Sequence, residues 1–264
     1  MTAIIHSISY SGQLLIQMIR YLGELTILFF QTLRCCFVPP FKWYRIMKQA
    51  NRIGPESFFI ASLVAFFVGM IIALQMAYQM VSLSAELYIP NVVAVSITRE
   101  LGPVLTALIV AGRVGAGITA EIGSMTATEQ VDALKAFAVN PIQYLVVPRF
   151  IGLVVMLPIL TVFADIIGIL GGYMICVFKL GISSQMFFTM VEQALHNKDI
   201  FTGLIKTVCF GAIIALVGCH QGLNIKGGAE GVGKATTASV VISFILIIMA
   251  DALFTTLFYF IFRV

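Results

Sequence analysis

SFFIASLVAFFVGMIIALQMAYQMVSLSA, residues 57–85, runs from Ser57 to Ala85 without one charged side chain. A hydrocarbon core about 30 Å thick is crossed by about 20 apolar residues rising 1.5 Å each, so this stretch predicts a membrane span with residues to spare. Working outward, 150–178 carries a single charge, Asp165; 207–225 carries none; 235–262 carries only Asp251. The stretch 90–120 is weaker, because it holds Arg99, Glu100 and Arg113 around the apolar middle LGPVLTALIVAG (101–112). It still reads as a span: without it the flanking segments would need a re-entrant path, and a bundle interior shelters a few charges. The expectation is an all-α membrane protein of 264 residues in one domain, with spans at 57–85, 90–120, 150–178, 201–225 and 235–262.

Composition agrees. Apolar residues make up 60% of the chain and charged residues 11%, against about 25% charged in soluble domains, which excludes a water-soluble globule, a disordered chain and a disulfide scaffold. The net charge of +4 is too small to argue for nucleic acid. Cys35, Cys36, Cys176, Cys209 and Cys219 form no C-x-x-C pair, and His6, His196 and His220 are scattered, so neither a disulfide framework nor a metal site is expected.

Residues 1–55 differ in character. Leu14, Leu15, Met18, Ile19, Leu22, Leu25 and Phe29 alternate with a polar stripe at Gln13, Gln17, Arg20, Glu24 and Gln31, a helical period. The pattern predicts an amphipathic helix lying in the membrane interface. No basic residue precedes Arg20, which argues against a signal peptide. The basic residues then orient the chain. Arg20, Arg34, Lys42, Arg45, Lys48 and Arg52 precede the first span, and Lys135, Arg149, Lys226 and Lys234 fall in loops on the same side. Arg99, Lys179, Lys198, Lys206 and Arg263 belong to the other. The excess places the amino terminus in the cytosol and, with five spans, the carboxyl terminus outside. The outer loop 179–206 contains VEQALHN, which reads as a short resting helix.

The inner loop EIGSMTATEQVDALKAFAVNP (121–141) carries its own helix signal. Thr126 with Glu129 three residues on has the spacing of a capping box, and Pro141 forces the preceding Asn140 out of the helical region. The helix expected within 126–140 is about 15 Å long, too short to span. Val131, Leu134 and Phe137 are placed to rest on the bundle; Glu129, Asp132 and Lys135 are placed to face the cytosol, where a partner could dock.

RELGPVLTALIVAGRVGAGITAEIGSMTATEQVDAL (99–134) closely resembles the signature stretch of the MlaE (YrbE-like) permeases, and GGAEGVGKATT (227–237) resembles that family's second marked segment. The family comprises membrane subunits of ABC transporters that act with MCE-domain proteins on lipids. The resemblance implies a homodimeric permease without catalytic residues, in the inner membrane of a two-membraned bacterium or, more remotely, a chloroplast envelope. Its implied activity is movement of phospholipid between inner and outer membranes, maintaining outer-membrane lipid asymmetry. It implies no cofactor of its own: ATP and Mg would be held by a cytosolic ABC ATPase, accompanied by a small STAS-type accessory protein and a periplasmic MCE-domain protein. The helix at 126–140 would be the coupling helix, with Glu129, Gln130, Asp132, Ala133 and Leu134 at the ATPase. A lipid cavity would lie near Arg99, Glu100 and Leu101, with Met70, Met76 and Met80 as further lining residues.

The residues also speak for themselves. Arg99 and Glu100 are adjacent, so each needs another partner, and an arginine can hold phosphate oxygens in bidentate fashion. Gly112, Ala116 and Ala120, and Gly168 with Gly172, are small residues at four-residue steps, which favours close helix packing. Gly228–Lys234 fits G-x-x-x-x-G-K, but Ala235 stands where Ser or Thr would bind magnesium; a flexible cytoplasmic loop is expected there. Two other function classes remain open: an ion- or proton-coupled carrier of a hydrophobic solute using Asp165 or Asp251, and a non-transporting membrane anchor.

Overall fold

A computed structural model describes residues 2–39 and 43–262 of the chain. Side-chain placements of residues 1–12, Leu14, Leu15, Val81 and 262–264 lie outside the description, as do Lys42 and Arg263 from the charge count and His6 from the histidine set. The described residues are helical with short connections and contain no strand. In chain order the helices are α1 (Thr2–Cys36), α2 (Trp43–Met80), α3 (Glu86–Ala127), α4 (Gln130–Ala136), α5 (Ile142–Phe178), α6 (Ser184–Ala194), α7 (Asn197–Leu223) and α8 (Gly228–Phe262). Five of them, α2, α3, α5, α7 and α8, are long and apolar enough to cross a membrane.

The helices extend beyond the charge-free windows. The first begins at Trp43 rather than near residue 57, so Arg45, Lys48, Arg52 and Glu56 ride on its first turns. Pro55 lies inside that helix. The segment 227–234 is likewise no flexible loop: Gly227 and Gly228, both at positive φ, start α8 directly, and Lys234 pairs with Glu230 one turn earlier at 2.7 Å.

Close backbone approach holds the bundle together. On α2, Ser57, Ala61, Ala65, Gly69, Ala73 and Ala77 repeat every four residues and are all buried. This strip lies against Gly168, Gly171 and Gly172 of α5: a Cβ on Gly69 would fall 1.9 Å from the Gly168 carbonyl oxygen, and one on Gly171 would fall 2.1 Å from that of Phe66. Small residues permit such contact where lipid offers no hydrophobic drive between helices. The α3–α7 seam is shifted by one position from the expected Gly112, Ala116 and Ala120. Its close contacts use Gly115 and Thr119 against Gly218, with Thr119 Oγ1 donating to the Gly218 carbonyl at 3.1 Å. Large apolar side chains on the outside, Phe59, Phe67, Leu253 and Phe260 among them, are exposed, as a lipid-facing surface requires.

Two apolar clusters mark the two ends. The larger one, with Val110, Ile122, Leu153, Phe210 and Ile214, also receives Leu25 and Leu28 of α1 and Val131 of α4. The smaller, with Ile89, Val93, Ile175 and Phe187, lies beside α6. These are called below the α4 end and the α6 end.

The second half of α1 docks on the α4 end. Glu24, one of the expected polar-stripe residues, meets His220 Nε2 of α7 at 3.1 Å, and Gln221 Nε2 donates to the Tyr21 hydroxyl. Burial raises the Tyr21 phenol above its ordinary pKa. Met18, Ile19 and Leu22 point outward, while Leu25 is buried and Phe29 packs on Phe150.

Candidate functional site

None of the three charges in the weakest span lies on regular α-helix. Residues Ile97–Leu101, which include Arg99 and Glu100, form a π-bulge; Ala111–Gly115, which includes Arg113, forms another. Such widened turns re-aim side chains and recur at functional sites. Pro103 adds a local cause near the first, because it has no N–H to give the Arg99 carbonyl four residues back. Lys206 Nζ of α7 donates to that carbonyl at 3.2 Å.

Lys206 is the centre of the cluster. Its side chain is 2% exposed, and its ammonium pairs with Glu100 at 2.6 Å and Asp251 of α8 at 2.9 Å. It also donates to Thr255 Oγ1 at 2.8 Å, and Thr255 donates on to Glu100 Oε1 at 3.0 Å. Arg99 turns the other way, to Asp199 of α7 at 3.0 Å. Asp199 also accepts from the His196 backbone N–H, fixing the start of that helix. Arg99 and Glu100 therefore have separate partners, as adjacent helical residues require. Asp251 stands in a paired cluster with a base beside it, whereas the sequence showed no base near it. Asp165 is different: its Oδ1 is buried without a hydrogen-bond partner among the described residues, in space left open by Gly102, where a Cβ would fall 1.7 Å away.

Beside this cluster is a pocket of about 270 Å³, lined by Val95, Ser96, Arg99, Glu100, Thr202, Lys206, Thr255, Phe258 and Tyr259. It joins two cations and hydroxyls to an apolar and aromatic wall. Arg99 and Glu100 line it; Leu101 does not. Met70, Met76 and Met80 are half-buried against the α6-end cluster, with Ala73, Val93 and Phe187. Lys206, Thr202 and Thr255 line the pocket without having been singled out as site residues from the sequence. The signal was a lysine nine residues into an apolar helix, which reads as a loop charge when the helix start is set too late.

At the other end, α4 differs from the expected capped helix. α3 runs on through Thr126, whose hydroxyl donates to the Ile122 and Gly222 carbonyls, so it is not free to cap. Glu129 adopts a left-handed conformation at φ 60 and makes no side-chain cap. The helix is Gln130–Ala136, ended before Pro141 by Ala138 at φ 57. Val131 anchors it in the core and Leu134 is half-buried. Phe137, expected on the bundle, is 81% exposed. Glu129, Gln130, Asp132 and Ala133 all face outward, and Lys135 pairs with Asp132 at 2.7 Å.

Five packed spans, a charged pocket at one end and a short projecting helix at the other define a multi-pass membrane permease. Residues 46–257 match the family model Permease MlaE, and the chain belongs to that family. It is 42% identical over 248 residues, 94% of this chain and 96% of the relative, to the Probable ABC transporter permease protein RP096 of Rickettsia prowazekii. To the Probable ABC transporter permease protein slr1045 of Synechocystis it is 44% identical over 205 residues, 78% of each chain. To Protein TRIGALACTOSYLDIACYLGLYCEROL 1, chloroplastic, of Arabidopsis thaliana it is 36% identical over 217 residues, 82% of this chain and 62% of the relative. The protein is an ABC transporter permease, a transport subunit whose class implies a partner ATPase.

Proposed function

We propose that this permease moves phospholipid, using ATP bound with Mg and hydrolysed by a separate cytosolic ABC subunit, and that in a two-membraned bacterium it serves outer-membrane lipid asymmetry. The observation that carries the reading is the α6-end pocket, where Arg99 and Lys206 stand beside Val95, Phe258 and Tyr259. A phosphate group can be held by guanidinium and ammonium donors, while acyl chains need the apolar wall. The name of the plant relative, which contains that of a galactolipid, supports a lipid cargo.

The α4 end faces the cytosol in this reading, because Arg20, Arg34, Arg45, Lys48, Arg52 and Lys135 cluster there. Glu129, Gln130, Asp132 and Ala133 offer the ATPase a polar face, with Val131 and Leu134 transmitting its movement to the core. A second copy of the chain, an MCE-domain protein at the α6 end and a STAS-type protein on the ATPase complete the assembly. Only 11% of the most apolar stretch of α8 is buried, which supports a face shared with lipid or a second copy.

The test is reconstitution of the permease with its ATPase in vesicles carrying headgroup-labelled phospholipid. ATP-dependent lipid transfer is expected, and Asp132→Arg should abolish it while lipid still co-purifies. Transfer that proceeds without the ATPase, or is unchanged by Asp132→Arg, overturns the proposal in favour of an ion-coupled carrier. No transfer in any condition favours an anchor.

A further inference from the structure

The α4 end holds a second cavity that the transport reading does not use. It is a cleft of about 610 Å³ between the first turns of α2, the end of α3 and the start of α5. Its cations are Arg45, Lys48, Arg52 and Arg149, and its carboxylates are Glu56 and Glu121. Glu121 is shared: one oxygen meets Arg52 and the other Arg149, each at 2.9 Å. Glu56 is taken by Arg113. Arg45 lies over the Tyr144 ring at 3.5 Å from its centroid and has no carboxylate partner among the described residues. Neither has Lys48.

Arg149 is the most telling member. It is 4% exposed, its Nη1 donates to the Leu145 carbonyl at 2.7 Å, and its Nε is buried without a hydrogen-bond partner among the described residues. A buried charged donor left unsatisfied is costly, and this one lines a cavity whose cations outnumber its carboxylates. The cleft has the chemistry of an anion site: Arg149 has only its Nε left unpartnered, while the Arg45 guanidinium, without a carboxylate partner among the described residues, is suited to bidentate phosphate recognition.

The surroundings choose the source of the phosphate. Trp43, Tyr44 and Met47, on the same first turns of α2, are 63%, 80% and 62% exposed. Exposed Trp and Tyr beside basic residues at a span terminus mark the headgroup layer, and basic pockets between spans at that level take anionic lipid headgroups. We propose that this cleft binds the phosphate of an anionic phospholipid resident in the leaflet at the α4 end. The site is separate from the α6-end pocket and does not depend on what that pocket carries.

Trp43 is the chain's single tryptophan and stands next to the lining residue Tyr44, so its fluorescence reports the cleft. The full-length protein in neutral detergent micelles is titrated with phosphatidylglycerol carrying brominated acyl chains, which quench a nearby indole, and in parallel with brominated phosphatidylcholine. Half-quenching is expected at a markedly lower concentration of phosphatidylglycerol. Lys48→Gln with Arg45→Gln, both outside the buried network, should remove that preference by about fivefold for each charge lost. Equal quenching by the two lipids, or a preference that survives the double substitution, overturns the proposal. So does a response of Trp43 to inorganic phosphate without lipid discrimination, which would make the site one for a free anion. A cleft blind to both lipids but reported on by added ATPase subunit would be a protein contact instead.

Discussion

Arg99 and Arg113 lie on the same helix, each on its own π-bulge, and they belong to opposite kinds of charge cluster. At the α6 end, Arg99 and Lys206 face three carboxylates, Asp199, Glu100 and Asp251. At the α4 end, Arg45, Lys48, Arg52, Arg113 and Arg149 face only two, Glu56 and Glu121. The first cluster closes on itself around one buried lysine. The second has more cations than the protein can match and leaves a buried arginine nitrogen unpaired. A cluster whose cations are all taken by its own carboxylates can hold a charged or polar cargo weakly and release it. A cation-rich one is built for an anion that stays. The difference teaches that charge inside a bundle is read by its balance, since hydropathy treats both clusters alike.

The sharpest way to break this comparison is to remove its centre. Lys206→Met keeps the volume but strands Glu100 and Asp251 without their cation. Breaking a buried pair from one side costs about 3–5 kcal/mol, and a large fall in thermal midpoint in detergent is expected. Replacing all three together, Lys206→Met with Glu100→Gln and Asp251→Asn, should recover most of that loss, because a fully neutral replacement carries no uncompensated charge. If the triple variant is as unstable as the single one, the loss does not come from stranded charge and the contrast with the α4 end fails.

Four of the five spans were legible because apolar runs of that length with at most one charge match the thickness of a bilayer core. The fifth, with three charges, was legible because its neighbours could not connect without it. The need of Arg99 and Glu100 for separate partners was legible too. The partners themselves were not: Asp199 and Lys206 lie about a hundred residues further on, and pairing across helices leaves no local mark. The π-bulges were not read from the sequence either, although Pro103, four residues after Arg99, is a local mark of the first. The Thr126–Glu129 capping signal misled because tertiary contact won: the Gly222 carbonyl holds the Thr126 hydroxyl and α3 continues through it. The Gly168–Gly172 step of α5 was legible, but the strip from Ser57 to Ala77 that it meets emerged only from the packing, and together they carry the seam between the two ends. Gly69→Ala places a methyl 1.9 Å from the Gly168 carbonyl oxygen. A loss of about 2 kcal/mol is expected from such overpacking, with α2 and α5 forced apart. Unchanged thermal stability would show that the seam is not the rigid link between the clusters.

The α4-end cluster is sharpened by making it more cationic. Glu121→Gln takes the counter-ion from Arg52 and Arg149 together. Arg149 is buried, but Glu121 is 37% exposed, so water screens part of the loss and about 1–2 kcal/mol is expected. Added phosphatidylglycerol should restore the midpoint more than added phosphatidylcholine does, since an anionic headgroup then replaces the missing carboxylate. Equal rescue by both lipids would remove the distinction between a cluster closed on itself and one waiting for an anion.

The smallest effect is expected on α4, where charge lies wholly on the surface. Lys135 and Asp132 are 61% and 68% exposed, and an exposed pair of this kind contributes less than about 1 kcal/mol. Lys135→Ala should leave the thermal midpoint nearly unchanged. The helix is instead held by Val131, 4% exposed within the α4-end core, and Val131→Ser should loosen it without disturbing the α6-end cluster. Hydrogen exchange of the α4 amides separates the two: slow and native-like in Lys135→Ala, fast in Val131→Ser. Were Lys135→Ala to speed exchange as much, the lever would be held by its own surface charges and not by the core it is proposed to move.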